Sequence, residues 1–198
     1  MTFMERESEL DLVSRLRASD PSAFDLVYQE FNLRLFNFLV RLARRRDVAE
    51  DLLEETWLRV VDRAPKLKPD TALGPFLFTV ARNLYISYCR SRQIEDTHAP
   101  ALIGLWPSGS NNPSPFETTL ALEMQTRLEL ALDSLPATYR EALLLVGAEE
   151  MRPADAAAIC GISPEAMRQR ISRARALLAQ RLEERDASRL QSLKVITT

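Results

Sequence analysis

Apolar residues recur along this chain at three- and four-residue spacing, the period of a helix packed on one side, and they do so in two blocks. The first block predicts helices over 5–18, 21–45, 47–64 and 74–92, separated at Asp20-Pro21, at Arg46-Asp47 and by the loop from Pro65 to Thr71. The second predicts helices over 117–134, 136–149, 153–160 and 163–185. Asp20 before Pro21 is an N-cap followed by a first-turn proline, and Pro136, Pro153 and Pro164 each fall at a predicted first turn, where a missing N–H does no harm. Alternating spacing does not take over outside one stretch, so the expected fold class is all-α.

Between the blocks, Pro100, Pro107, Pro113 and Pro115 mix with Gly104, Gly109, Ser108, Ser110, Ser114, Asn111 and Asn112, a density of breakers that no helix survives. Two helical domains are therefore expected, 1–94 and 117–186, joined by a flexible linker over 95–116. Residues 187–198, ending Val195-Ile196-Thr197-Thr198, read as a frayed tail. Within the linker, Leu102-Ile103-Gly104-Leu105-Trp106 is too apolar for an indifferent tether; it fits docking on a partner or folding back on its own domain equally well.

With 46% hydrophobic and 27% charged residues the chain is an ordinary globular one, and disorder throughout is excluded. The start, Met1 to Glu7, carries no apolar h-region and no run long enough to span a bilayer follows, so a cytoplasmic protein without membrane insertion is expected. Cys89 and Cys160 lie in different segments, without a CxxC, and the sole histidine is His98. Buried thiols are expected rather than a disulfide framework or a metal site. No pattern for a nucleophile, metal cluster or phosphate-cradling glycine loop stands out, so no cofactor and no enzyme activity are expected.

A net charge of −2 argues against a uniformly basic nucleic-acid binder, but the charge is segregated. Residues 166–181 hold Arg168, Arg170, Arg173, Arg175 and Arg181 with no acid, and 79–92 hold Arg82, Arg90 and Arg92 with no acid. Residues 117–150 hold seven acids against Arg127 and Arg140. Two separate basic surfaces and acidic faces turned to something else follow from this.

The most specific local pattern lies at 153–182. An alanine-rich helix from Pro153 to Ile159 is followed by Cys160-Gly161-Ile162, where glycine supplies the positive φ of a tight turn. Ser163-Pro164-Glu165 then gives an N-cap, a first-turn proline and an early acid. In the helix that follows, Met167, Ile171, Ala174, Leu178 and Leu182 form one apolar stripe. Glu165, Gln169, Ser172 and Arg173 lie opposite, flanked by Arg168 and Arg170. This is the grammar of a helix-turn-helix with a recognition helix suited to the major groove.

In the helix over 74–92, Phe76, Leu77, Val80, Ala81, Leu84 and Tyr88 share one side, and Thr79, Arg82, Asn83, Ile86 and Arg90 the other. Cations, an amide and an exposed apolar group beside Lys66 and Lys68 fit the binding of unpaired bases, and spacing alone fits ordinary surface equally well. In the helix over 47–64, Ala49, Leu52, Leu53, Thr56 and Val60 make the expected buried stripe, while Asp51, Glu54, Glu55 and Asp62 surround an outward Leu58. That face fits docking of a basic helical partner or a charged solvent face with one stray leucine.

The run from Ala49 to Val60, AEDLLEETWLRV, resembles the second helical motif of extracytoplasmic-function (group 4) sigma factors of the sigma-70 family. Phe76 to Asn83, FLFTVARN, resembles the motif that opens their promoter-melting helix. Leu132-Asp133-Ser134-Leu135-Pro136, Tyr139-Arg140-Glu141 and Ile171-Ser172-Arg173-Ala174-Arg175 resemble successive parts of their C-terminal domain. The resemblance implies a bacterial alternative sigma factor that binds RNA polymerase core and directs promoter recognition and melting. By position it implies that Asp51, Glu54, Glu55 and Leu58 face the clamp helices of the polymerase β′ subunit. Lys66, Lys68, Arg82, Asn83 and Ile86 would hold flipped bases of the melted −10 element, and Arg168, Gln169, Arg170, Ser172 and Arg173 would contact the duplex −35 element. The second domain would sit on the β flap, the linker would thread toward the active-site channel, and an anti-sigma factor would cover both domains.

Four positions depart from the family pattern: Phe76-Leu77 replaces Trp-Leu, Ser87 replaces an acid, Asp155-Ala156-Ala157 replaces Glu-Ile-Ala, and Glu165-Ala166 replaces the Gly-Thr that often opens the recognition helix. The first three keep size and polarity roughly, so the fold should stand; the last bears on base specificity. The alternative to a sigma factor is a sigma-like mimic or helix-turn-helix regulator that binds an anti-sigma protein or DNA without core polymerase.

Overall fold

The computed structural model describes residues 6–96 and 119–196. The helices are α1 (Arg6–Arg17), α2 (Pro21–Ala43), α3 (Arg46–Arg63), α4 (Leu73–Asp96), α5 (Thr119–Asp133), α6 (Ala137–Leu143), α7 (Pro153–Cys160) and α8 (Pro164–Ile196). A 3₁₀ turn, Ala64–Lys66, follows α3, and a π-helical turn, Leu144–Ala148, continues α6. No strand occurs among the described residues. The chain divides into two compact units, one holding α1 to α4, the other α5, α6, α8 and the first five residues of α7.

In the first unit α2, α3 and α4 pack on one another, with α1 laid against α2 and the 3₁₀ turn. The α1–α2 corner is built as the Asp20-Pro21 pair predicts. Ser19 takes a left-handed φ of 58°, the Ser19 and Asp20 amides bond back to Leu16 and Arg15 carbonyls, and Asp20 then caps α2 by accepting from the Ser22 amide at 2.9 Å. The core is large: Leu35, Phe38, Leu39, Leu42, Leu73, Leu77 and Phe78 are fully buried, and Phe38 meets Phe78 edge to face at 5.2 Å.

The buried stripes of α3 and α4 differ from the sequence reading. Trp57, rather than Leu53, completes the buried face of α3; its indole N–H donates to Asn32 of α2 at 3.0 Å and its ring packs on Phe24 and Tyr28. Phe78 is buried and Phe76 only half-buried, because α4 is covered by both α2 and α3 and so buries more than one stripe. Cys160 is buried as expected, whereas Cys89 is half-buried.

In the second unit α8 packs against α5 and α6. Arg140 of α6 is 96% buried and donates to three carbonyls where α5 ends, those of Leu132, Asp133 and Leu135, at 2.9–3.1 Å. Leu132 and Asp133 belong to the last turn of α5, whose carbonyls run short of intrahelical donors, and Leu135 to the turn after it, so a guanidinium does part of the work of a C-cap. Pro136 stands at the cap of α6 rather than inside its first turn. α8 is longer than the 163–185 expected: with no proline or glycine after Pro164, nothing stops it, and the segment read as a frayed tail continues in helix to Ile196. α4 reaches Asp96; the rest of the expected linker, with Leu102 to Trp106 and His98, lies outside the described residues.

Candidate functional site

The helix-turn-helix is assembled by local backbone chemistry. α7 ends with Gly161 at φ 65°; its amide bonds to the Ala158 carbonyl at 3.2 Å and the Ile162 amide to Ala157 at 3.0 Å, the double closure of a Schellman turn. Ser163 then caps α8, its hydroxyl accepting from the Ala166 amide at 3.1 Å. Met167, Ile171 and Ala174 are buried as predicted, while Leu178 and Leu182 are half-buried. Arg168, Gln169, Ser172 and Arg173 are exposed and Arg170 is half-buried. All five named for duplex contact thus fall on one helix, four of them exposed.

Arg168 does not stand alone on that face. Its guanidinium donates to the Glu165 carboxylate one turn earlier, and Glu165 is held below its ordinary carboxyl range chiefly by that bond. The sequence places both residues on the face; their pairing follows from the i,i+3 spacing.

On the first unit, Lys66 and Lys68 are exposed on either side of buried Leu67, which anchors the loop that leads into α4. The start of α4 is fixed from outside the helix: the Leu73 amide donates to Glu9 of α1 at 2.8 Å. Along α4, Asn83 and Arg90 are exposed and Arg82 is half-buried. Ile86, expected to be exposed, is half-buried. The Thr79 hydroxyl is used inside the helix, donating to the Pro75 carbonyl at 2.6 Å.

On α3 the structure turns Asp51, Glu54 and Leu58 to solvent, Leu58 at 63% exposure. Glu55 is half-buried and paired with Arg59 at 2.8 Å, so it is a less available carboxylate than the other two. Val61, which sequence reasoning did not single out, is 52% exposed one turn beyond Leu58 and extends the apolar centre of the same face. Its i,i+3 spacing from Leu58 is the signal that finds it. Among the described residues no cluster of potential metal ligands occurs, and no helix is long and apolar enough to cross a membrane.

Two family models match the chain: sigma-70 region 2 over residues 27–94, and sigma-70 region 4 over residues 125–178. The ECF RNA polymerase sigma factor EcfG of Rhodopseudomonas palustris is 37% identical over 144 residues, covering 72% of this chain and 75% of that protein. The ECF sigma factor SigM of Bacillus subtilis is 32% identical, covering 76% of this chain and 90% of that one. Among solved structures, the sigma factor RpoE of Bartonella quintana, in complex with the anti-sigma factor NepR, superposes with a TM-score of 0.66 at 31% identity. That match covers 78% of this chain and 95% of RpoE.

Proposed function

The chain belongs to the sigma-70 family, in its extracytoplasmic-function group of alternative sigma factors, and from that membership we propose how its exposed faces divide the work of starting transcription. Sigma factors bind RNA polymerase core and promoter DNA, and the bond-making chemistry is the polymerase's. Residues 1–94 act as region 2 and 117–186 as region 4, with 95–116 threading between them toward the active-site channel.

On α3, Leu58 and Val61 give apolar contact to the clamp helices of β′, and Asp51, Glu54 and Glu55 supply orientation and on-rate to a basic partner. Lys66, Lys68, Arg82, Asn83 and Ile86 hold unpaired bases of the −10 element. Trapping those bases favours the melted promoter over the duplex by differential binding, which is all that melting requires of a protein without a motor. Arg168, Gln169, Arg170, Ser172 and Arg173 enter the major groove of the −35 element, and region 4 rests on the β flap. The protein works in the cytoplasm, and an anti-sigma protein that masks both regions holds it inactive; the RpoE complex with NepR supports that partner class.

The observation that carries this reading is the α8 face: arginine, glutamine and serine in solvent directly opposite a buried Met167-Ile171-Ala174 line, on the second helix of a capped helix-turn-helix. The test is run-off transcription with core polymerase on a promoter library. The proposal expects start-site selection by the wild-type chain and its loss when Arg168 and Arg173 are both changed to Glu. A chain that binds an anti-sigma protein but neither associates with core nor selects a start site is a mimic, and the reading falls.

A further inference from the structure

We propose that Glu165 is a positioning residue for base reading: its carboxylate holds the Arg168 guanidinium in one orientation on the outward face of α8, and so sets the base accepted at one position of the duplex. The proposal rests on α8 being the duplex-reading helix. Its starting point is an electrostatic oddity. With Met167, Ile171 and Ala174 buried, helical geometry puts Glu165 near the middle of the opposite side, among Gln169, Ser172 and Arg173. The Glu165 side chain is 64% exposed there, and that of Arg168 61%. A free carboxylate at the centre of a face that approaches phosphates repels them and weakens binding to every sequence alike.

Two functions compete for such an acid. Helix stability asks only for negative charge in the first turn, which any orientation of the side chain satisfies. The observed arrangement does more: Nη2 of Arg168 donates to the Glu165 carboxylate, and that bond is the chief reason the carboxyl is held below its ordinary range. An arginine tied this way is a poorer phosphate contact, because its charge is partly neutralised. It is a better base reader, because a guanidinium has five N–H groups in a fixed fork and tying one of them narrows the orientations open to the rest. Ordering a long side chain before binding removes a cost otherwise met on contact with DNA. The ligand this geometry fits is a guanine, whose O6 and N7 accept two parallel N–H groups in the major groove.

The experiment uses holoenzyme, reconstituted from core polymerase and the full chain, on templates with a randomised −35 region; sequencing the transcripts gives the base preference at each position. Arg168→Ala is expected to lower the guanine preference at one position by roughly fivefold or more. Glu165→Ala is expected to lower it at that same position by about two- to fivefold. Transcription from poor −35 sequences should hold or rise in Glu165→Ala, since a charge that repels phosphates has gone, and Glu165→Asp should restore most of the preference. A merely structural acid would instead lower transcription from all templates together, and that result overturns the proposal. So does a flat effect of Glu165→Ala where Arg168→Ala removes one preference. If Arg168→Ala, Arg170→Ala and Arg173→Ala each leave every position unchanged, the duplex-reading role of α8 has failed, and the proposal with it.

Discussion

The unit of α1 to α4 and the unit that holds α5, α6, α8 and the start of α7 are both helical, yet they are held together differently. The first fully buries Phe38, Phe78 and five leucines, Leu35, Leu39, Leu42, Leu73 and Leu77. Among its described residues the second fully buries Leu145 and Met167 as its larger side chains, with Leu135, Leu144 and Ile171 also buried and Ala131, Ala142, Ala156, Ala157 and Ala174 filling the space between them. It also buries charge, in Arg140 and Glu141. Small side chains let helices approach closely but remove little apolar area from water, so directed bonds and turn geometry must supply more of the cohesion. The contrast predicts which substitutions hurt each unit.

The largest effect belongs to bulk burial. Phe78→Ala removes a fully buried ring between α2 and α4 and is expected to destabilise the first unit by about 3–5 kcal/mol. Hydrogen exchange should show protection falling across α2 to α4, and a loss under about 1 kcal/mol would mean that this core is not what holds the unit. Next is the polar clasp. Arg140→Met keeps the aliphatic stem but takes the donors from three carbonyls at the end of α5, at a cost of about 2–3 kcal/mol in the second unit. Relief from burying the charge offsets part of that, so a neutral or stabilising result would show the apolar core sufficient without the clasp.

A smaller effect isolates turn geometry. At Gly161 a Cβ would meet nothing within 4 Å, so Gly161→Ala adds no clash, only the strain of a left-handed φ of 65°. About 1–2 kcal/mol is expected, read as a fall in the thermal midpoint of the protein. An unchanged midpoint would mean that the turn relaxes and α8 re-aims, which the promoter-library assay would then register.

The same contrast explains what was legible in the sequence. Element positions were, because proline, glycine and caps punctuate them: Asp20-Pro21, Gly161 and Ser163-Pro164 each do in space what their residue types predict. The α8 face was legible too, since its buried line Met167-Ile171-Ala174 follows the one apolar stripe of the sequence and leaves the opposite side exposed. The first unit was read less well. Trp57 replaced Leu53 in the core and Ile86 is half-buried, because α3 and α4 each pack on two neighbours and their buried arcs are wider than one stripe. Arg140 was read only as part of a motif; its role depends on carbonyls that belong to the preceding helix and carry no residue code. The Glu165–Arg168 pair sat in plain view as a spacing, but its meaning needed the buried side of the helix to be known.

The smallest effect separates the two kinds of polar bonding by pH. At the α1–α2 corner of the first unit, Asp20 is lowered from 3.8 to about 2 by the Ser22 hydroxyl, then Arg15 and the Ser22 amide. A carboxylate whose folded value is depressed stabilises the fold above its unfolded value and loses that contribution as pH falls through the folded one. The wild type should therefore unfold at a higher temperature than Asp20→Asn above pH 4, with the gap closing as pH falls through about 2. Asparagine still caps the helix, so the gap reports charge and not geometry. Arg140 in the second unit bonds backbone carbonyls, which do not titrate, and an arginine stays protonated throughout. The share of the Arg140→Met difference that comes from these carbonyls should accordingly stay level over the interval in which the Asp20 difference disappears. A share that falls in step with pH instead measures what acidic groups add to the clasp beside the three carbonyls, and a difference that vanishes entirely would mean the carbonyl bonds contribute nothing.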